Sequence, residues 1–323
     1  MKRQESHTHL ITSRAVVLAC LLITFQVTGI SISPGTLNAQ SADPGIRPVA
    51  LVTGSTDGLG RELAIRLGGA GYHVIVHGRN EERGREIVKE ITSREGSARL
   101  ITADLGSMAQ VRDMADQVIA DYDRLDLLVN NAGIGRGTDV KLRQKSEEGY
   151  ELRFAVNYLS HFYLTRTLLP LIKESAPAKI VSVTSAAQQA IDFENVMLKR
   201  EYIGNRAYAQ SKLAQIMMTI DLAEELDGSG VTVNAVHPAV YMATSMVLNR
   251  GGTPFTTIDA GADPVMQVIM SPVAKSTSPR KGLPPERSRA GSAVVVPPSD
   301  TSHATSSGGG ATLACVSTSH DFQ

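Results

Sequence analysis

Cysteine is nearly absent from this chain. Cys20 and Cys315 stand in the two terminal segments and the whole middle has none, which excludes a disulfide framework and a cysteine-based zinc site there. No metal is expected, and the fold must hold by its apolar core. Net charge is missing as well: 32 Lys and Arg residues balance 32 Asp and Glu, and no long basic run occurs. That removes the electrostatic footprint of a nucleic-acid binder. A comfortable membrane-spanning run is lacking too. The apolar stretch from Ala15 to Ile30 carries Gln26 and Gly29 and falls short of the ~20 residues that cross a bilayer. Lys2, Arg3 and Arg14 precede it, and Leu37, Asn38 and Ala39 follow. Residues 1–40 therefore read as a secretory signal or membrane anchor, with cleavage favoured. Export or membrane association follows from that reading, whereas a start site placed too far upstream would leave a cytoplasmic chain.

What is present is ordinary globular composition: 323 residues, 42% hydrophobic and 20% charged, enough for a core of good size. Residues 47–271 carry the periodic segments. From 272 to 323 the chain is rich in Ser, Pro, Gly and Thr without helical period, which predicts a disordered tail. Its one candidate strand, Ala293 to Val296, would lie at a sheet edge.

The periodic part is organised around the stretch from Val49 to Gly60. A short apolar run breaks into Gly54, Gly58 and Gly60, spaced G-x-x-x-G-x-G, and a helical pattern follows. Glycines let the backbone turn sharply and approach a ligand, and the helix N-terminus offers free N–H groups to a phosphate. On its own such a turn also suits simple packing. Five further apolar runs alternate with helical patterns: His73–His77, Ala98–Thr102, Leu125–Asn130, Lys179–Val183 and Val231–Val236. Continuous apolar strands suit a sheet buried on both faces. The alternation implies an α/β fold, a single Rossmann-like, doubly wound parallel sheet of six to seven strands with helices on both faces. Ligands of such sheets bind at the carboxyl ends of the strands.

Every polar motif falls at such an end. Arg79 follows the second strand, where a dinucleotide's adenosine ribose would lie; an arginine there argues for the 2′-phosphate of NADP(H), with NAD(H) as the alternative. Asp104 and Leu105 follow the third strand and could bracket an adenine, although Asp104 equally suits a helix cap. Asn130, Asn131, Ala132 and Gly133 follow the fourth, and Asn157 is a polar residue inside an apolar helical stretch. Ser185 ends the fifth strand. Tyr208 and Lys212 lie four apart and share a helix face. An adjacent ammonium and an oxidised nicotinamide would both favour the phenolate of Tyr208, making it a usable acid/base, and Ser185 could donate to a substrate oxygen.

Taken together, Thr53 to Gly60, Asn130 to Gly133, Asn157, Ser185 and the Tyr208-x-x-x-Lys212 pair resemble the short-chain dehydrogenase/reductase family over about residues 47–245. The Ser185-to-Tyr208 interval, His161 and Phe162 after Asn157, and Val236, His237 and Pro238 resemble its retinol-dehydrogenase-like branch. The resemblance implies an oxidoreductase acting on alcohols and carbonyls with the catalytic set Asn157, Ser185, Tyr208 and Lys212. It implies cofactor contacts from Gly54, Ser55, Thr56, Gly58, Leu59, Gly60, Arg79, Asp104, Leu105, Asn131, Ala132, Gly133, Tyr208, Lys212, Pro238 and Val240. A small-molecule substrate and a homo-oligomer are the implied partners. A catalytically silent cofactor-binding or interaction protein of the same fold is the alternative. Two departures stand out. Ala239 replaces the family's glycine after Pro238, which puts a cofactor contact by Thr244 in doubt. The family's final helix and seventh strand also have no evident counterpart in the low-complexity tail. The methionines between Tyr241 and Leu248 suit either an apolar pocket or the core.

Overall fold

The computed structural model describes residues 47–272 and the short strand Val295–Val296. The expectations placed on residues 1–40 lie outside the described residues, as do those for the tail except at that strand. Six strands occur in the main body: β1 (Val49–Val52), β2 (His73–Gly78), β3 (Ser97–Thr102), β4 (Leu127–Asn130), β5 (Ala178–Val183) and β6 (Val231–Val236). With β7 (Val295–Val296) they form one all-parallel sheet in the order β3-β2-β1-β4-β5-β6-β7. The strand order reverses between β1 and β4, so the carboxyl ends diverge there and open the crevice that doubly wound sheets use for ligands.

Alternate strand residues bury on opposite faces. Leu51, Ile75 and Leu128 pack against α3 (Met108–Asp121), α5 (Ser160–Glu174) and α6 (Gly204–Glu225). Ala50, Val52, Val74 and Val76 pack against α1 (Gly58–Gly69), α2 (Glu81–Ser93) and α8 (Ile258–Met270). Both faces are therefore dry, which is why the strands read as unbroken apolar runs. Three side chains cap helix starts as their residue types dictate: Asp57 on α1, Asn80 on α2 and Ser107 on α3.

β2, β3 and β5 each run one residue beyond the sequence reading, and larger differences occur at β4 and toward the end of the chain. β4 starts at Leu127, two residues late, and just before it the Asp126 carboxylate accepts from the Val49 N–H at 2.7 Å. Helix α6 starts at Gly204, one turn before Tyr208. The final helix thought missing is α8, capped by Thr257 and lying just before the low-complexity segment, while Val295–Val296 pairs with Ala235 and Val236 at the sheet edge. Among the described residues no helix is long and apolar enough to cross a membrane.

Candidate active site

The glycine turn owes its shape to backbone needs that no other residue meets. Gly54 and Gly58 have φ of +65° and +53°, the left-handed region that favours glycine. A methyl on Gly60 would lie 2.2 Å from the Gly54 carbonyl oxygen and 2.4 Å from Asn131 Nδ2. Asn131 ties the strand ends together by donating to the Thr53 carbonyl at 2.8 Å, and Thr53 Oγ1 accepts from the N–H groups of Asn131 and Ala132 at 2.9 and 3.0 Å. Helix α1 then opens toward the crevice with no acid in its first turn, a fitting seat for a pyrophosphate. Ala132 sits directly against Gly54, its Cα 2.9 Å from where a Cβ would be.

Beside this turn the structure brings together the residues read as the adenosine end. Arg79 lies 3.7 Å from Asp104 and both are exposed; Thr56 covers Gly78. Asp104 does not cap α3, a role taken by Ser107; its Oδ1 instead accepts from the Gly106 N–H at 2.8 Å. Leu105 is buried in the core below. Beyond β6, Pro238 is buried and Val240 is exposed. Thr244, doubted because of Ala239, reaches the turn after all: its Cγ2 is 3.2 Å from the Cβ position of Gly58, and Ser245 donates to the capping Asp57. The methionines between Tyr241 and Leu248 take different neighbours. Met242 packs into the core beside α8, whereas Met246 faces Gly135 in the loop after β4.

At the other end of the crevice, Asn157 occupies a π-helical turn (Ala155–Leu159) between α4 (Leu152–Phe154) and α5. The wider turn suits a functional position and presents the amide sideways. Its Oδ1 accepts from the Ile134 N–H at 2.8 Å, and its Nδ2 donates to the Ile134 carbonyl at 3.1 Å and to Ser211 Oγ at 2.9 Å. Lys212 Nζ is buried and donates to the Val183 carbonyl at 3.0 Å and to Gln215 Oε1 at 2.7 Å. It stands 6.0 Å from the centre of the Tyr208 ring. Burial pushes its pKa down to about 7. Gly133 fits between these groups, its Cβ position 3.4 Å from Asn157 Oδ1 and 3.6 Å from Lys212 Nζ.

Ser185 lies near enough to Tyr208 to act on its phenol. Burial raises the phenol's pKa, while a hydrogen bond from the Ser185 hydroxyl and the charge of Arg250 act in the opposite direction. The net shift is upward. The low-dielectric site penalises the anion more than its neighbours stabilise it. A phenol held protonated is suited to donating.

Several buried polar residues around the site had been given no role in the sequence reading. His77 accepts from the Gly54 N–H at Nδ1, 3.0 Å, and donates from Nε2 to the Ala103 carbonyl at 3.2 Å, tying the glycine turn to the end of β3. Arg153 donates to the carbonyls of Gly135 and Arg136, to Glu151 Oε1 at 3.2 Å and to Tyr202 Oη at 2.8 Å. It fixes the loop after β4 against the loop before α6. His161 lies between Thr53 and Gln215. The available signal was a polar residue on an apolar helix or strand face, a position that burial permits only when hydrogen bonds are satisfied.

The buried histidines carry a testable consequence. Burial pushes His77 down to about 4, and burial together with the charges of Lys212 and His77 pushes His161 to about 3. An unfolded histidine takes up its proton near pH ~6.5, so between that pH and the folded values the unfolded chain binds more protons. Stability is fully present above about pH 6.5 and falls as pH drops, with His77 alone accounting for roughly 3 kcal/mol by about pH 4. Urea midpoints should hold between about pH 7.5 and about pH 6.5 and decline from there to about pH 5. A flat series would contradict neutral burial.

An apolar groove on α5 and α6, lined in part by Phe154, Tyr158, Phe162, Met217 and Met218, involves none of the residues assembled at the strand ends.

Comparison with known proteins agrees with this geometry. The short chain dehydrogenase family model matches residues 48–252. Retinol dehydrogenase 13 of Mus musculus is 38% identical over 214 residues, covering 65% of this chain and 62% of its own length. Retinol dehydrogenase 13 of Homo sapiens is 37% identical over 229 residues, covering 69% and 65%. The chain thus spans somewhat under two thirds of these relatives. Among solved structures, a short chain dehydrogenase from Escherichia coli complexed with NADPH superimposes with a TM-score of 0.57 at 28% identity, covering 70% of this chain and 91% of that one. The chain belongs to the short-chain dehydrogenase family, in the branch that resembles retinol dehydrogenases.

Proposed function

We propose that this protein is an NADP(H)-dependent oxidoreductase that interconverts an alcohol and a carbonyl on an apolar substrate. The observation that carries the reading is the buried Lys212 ammonium, bound to the carbonyl of Val183 at the end of β5 and 6.0 Å from the centre of the Tyr208 ring, with Ser185 near the phenol. When bound, the nicotinamide supplies or accepts the hydride. Tyr208 gives its phenolic proton to the carbonyl oxygen in reduction and takes one back in oxidation. Ser185 donates to the same oxygen and stabilises the charge gathering on it. Lys212, one turn along α6, places positive charge near the phenolate that remains, and Asn157 holds the Ile134 segment beside it. Met246 lines the substrate side. The similarity to retinol dehydrogenases and to NADPH-bound family members supports this choice of chemistry and cofactor. Self-association and attachment to a membrane through residues 1–40 accompany the reading as implications of family and sequence.

The test is loss of reduced-nicotinamide absorbance when purified protein meets NADPH and a panel of aldehydes and ketones, retinaldehyde included. Turnover with NADPH in excess of NADH is expected. Arg79→Glu should raise KM for NADPH roughly 10- to 100-fold, the value of one or two charge-assisted hydrogen bonds to a phosphate, and leave NADH less affected. NADPH binding without turnover on any carbonyl would favour the silent binder.

A further inference from the structure

Lys212 is the start of a buried hydrogen-bonded chain that leads away from the reacting groups. Its ammonium donates to Gln215 Oε1 at 2.7 Å, and Gln215 Nε2 meets His161 Nδ1 at 2.9 Å. His161 Nε2 lies 3.5 Å from Thr53 Oγ1, and Thr53 Oγ1 donates to the Val129 carbonyl at 3.2 Å. Gln215, His161 and Thr53 are all fully buried. An ammonium has only donors, so Gln215 must turn its oxygen toward Lys212 and its amide N–H₂ toward His161. His161 must then accept at Nδ1 and carry its proton on Nε2. Thr53 Oγ1 already accepts from the Asn131 and Ala132 N–H groups, so His161 Nε2 makes only a long contact with it, and the chain ends where Thr53 donates to the Val129 carbonyl on β4.

We propose that Gln215 and His161 are positioning residues for Lys212: Gln215 supplies a fixed acceptor that favours the ammonium, and His161 holds the Gln215 amide in that orientation. The proposal rests on the reading of Lys212 as part of the active site, and it extends that reading to two residues that touch neither substrate nor cofactor. Lys212 lies buried, where a neutral amine would otherwise be favoured. Two acceptors, the Val183 carbonyl and Gln215 Oε1, offset that cost. The spacing follows from the helix, since Gln215 stands three residues after Lys212 on α6 and shares its face. His161 reaches the amide from α5, four residues after Asn157, so one pair of helices builds both the site and its support. The other titratable groups around the ammonium are Tyr208 on α6 and His237 beyond β6. Arg250 acts on Tyr208, and His77 acts on His161.

The test is a pH titration of the Lys212 side-chain ¹⁵N resonance by NMR, assigned by its loss in Lys212→Met. It is run on the full chain and on Gln215→Leu, Gln215→Glu and His161→Leu. Gln215→Leu removes the acceptor and should raise the acid dissociation constant of Lys212 by roughly tenfold or more, the weight of one hydrogen bond to a charged group. Gln215→Glu puts a carboxylate at the same place and should lower it. His161→Leu should act in the direction of Gln215→Leu by a smaller factor. The pH profile of kcat/KM should move in the same two directions. Opposed shifts in the leucine and glutamate variants are the result a merely structural role would not give. Unchanged titration in folded Gln215→Leu and Gln215→Glu overturns the proposal, and if the leucine variant does not fold the glutamate variant decides alone. The titration requires no turnover, so a chain without carbonyl reductase activity would refute the functional reading and leave this result standing by itself.

Discussion

Tyr208→Phe is expected to cut kcat by about 10²- to 10⁴-fold, the range over which a positioned proton donor accelerates its step. The ring and its packing remain, and only the phenolic hydroxyl is lost. NADPH affinity should therefore hold to within about a few-fold, since the variant removes a transition-state interaction and leaves ground-state binding in place. The melting midpoint should hardly move. A stopped turnover accompanied by normal NADPH binding is the expected pairing. Turnover unchanged in the phenylalanine variant would take Tyr208 out of the mechanism.

Gly60→Ala is expected to damage both the fold and the cofactor seat. Its methyl would have to occupy space 2.2 Å from the Gly54 carbonyl oxygen and 2.4 Å from Asn131 Nδ2. Neither can withdraw freely, because Gly54 sits against Ala132 and Asn131 is bound to the Thr53 carbonyl. Overpacking of this kind costs about 1–3 kcal/mol or more, a fall of at least a few degrees in the melting midpoint for a domain of this size. The turn it displaces is the seat proposed for the pyrophosphate, so calorimetry should also show NADPH binding weakened well beyond the loss of stability. Gly69→Ala is the control. It lies in the same helix with nothing within 4 Å of its Cβ position, and alanine there should be neutral or stabilising. Equal behaviour of the two variants would mean that the close packing of the turn has no bearing on the cofactor.

The positions of these residues could be read in the sequence because the sheet is dry on both faces. Continuous apolar runs marked β1 to β6 to within two residues, and the carboxyl ends of those runs marked Gly54, Arg79, Asn131, Ser185 and the residues after β6. Helical spacing put Tyr208 and Lys212 on one face, but only the company of the other motifs singled the pair out. The support around them was not legible in the same way. His77 lies within an apolar strand, and nothing local shows that its two ring nitrogens face Gly54 and Ala103. Arg153 reads as an ordinary helix charge until the carbonyls of Gly135 and Arg136 close over it. These partners are remote in the chain or lie in loops, and no periodicity reports them. The direction of the Tyr208 shift also escaped, because burial is a property of the assembled site. A neighbouring ammonium can be read from spacing, whereas the dielectric around both groups cannot.

The account depends on hydride passing between a nicotinamide and a carbon whose oxygen lies at Ser185 and Tyr208. The most direct test is to supply NADPH carrying deuterium at the transferable position of the ring, together with an aldehyde the protein consumes, and to locate the label in the product. Deuterium on the carbinol carbon, in wild-type protein and at a strongly reduced rate in Tyr208→Phe, is the predicted result. NADPH bound at the glycine turn with no deuterium reaching any carbonyl carbon would contradict the enzymatic account.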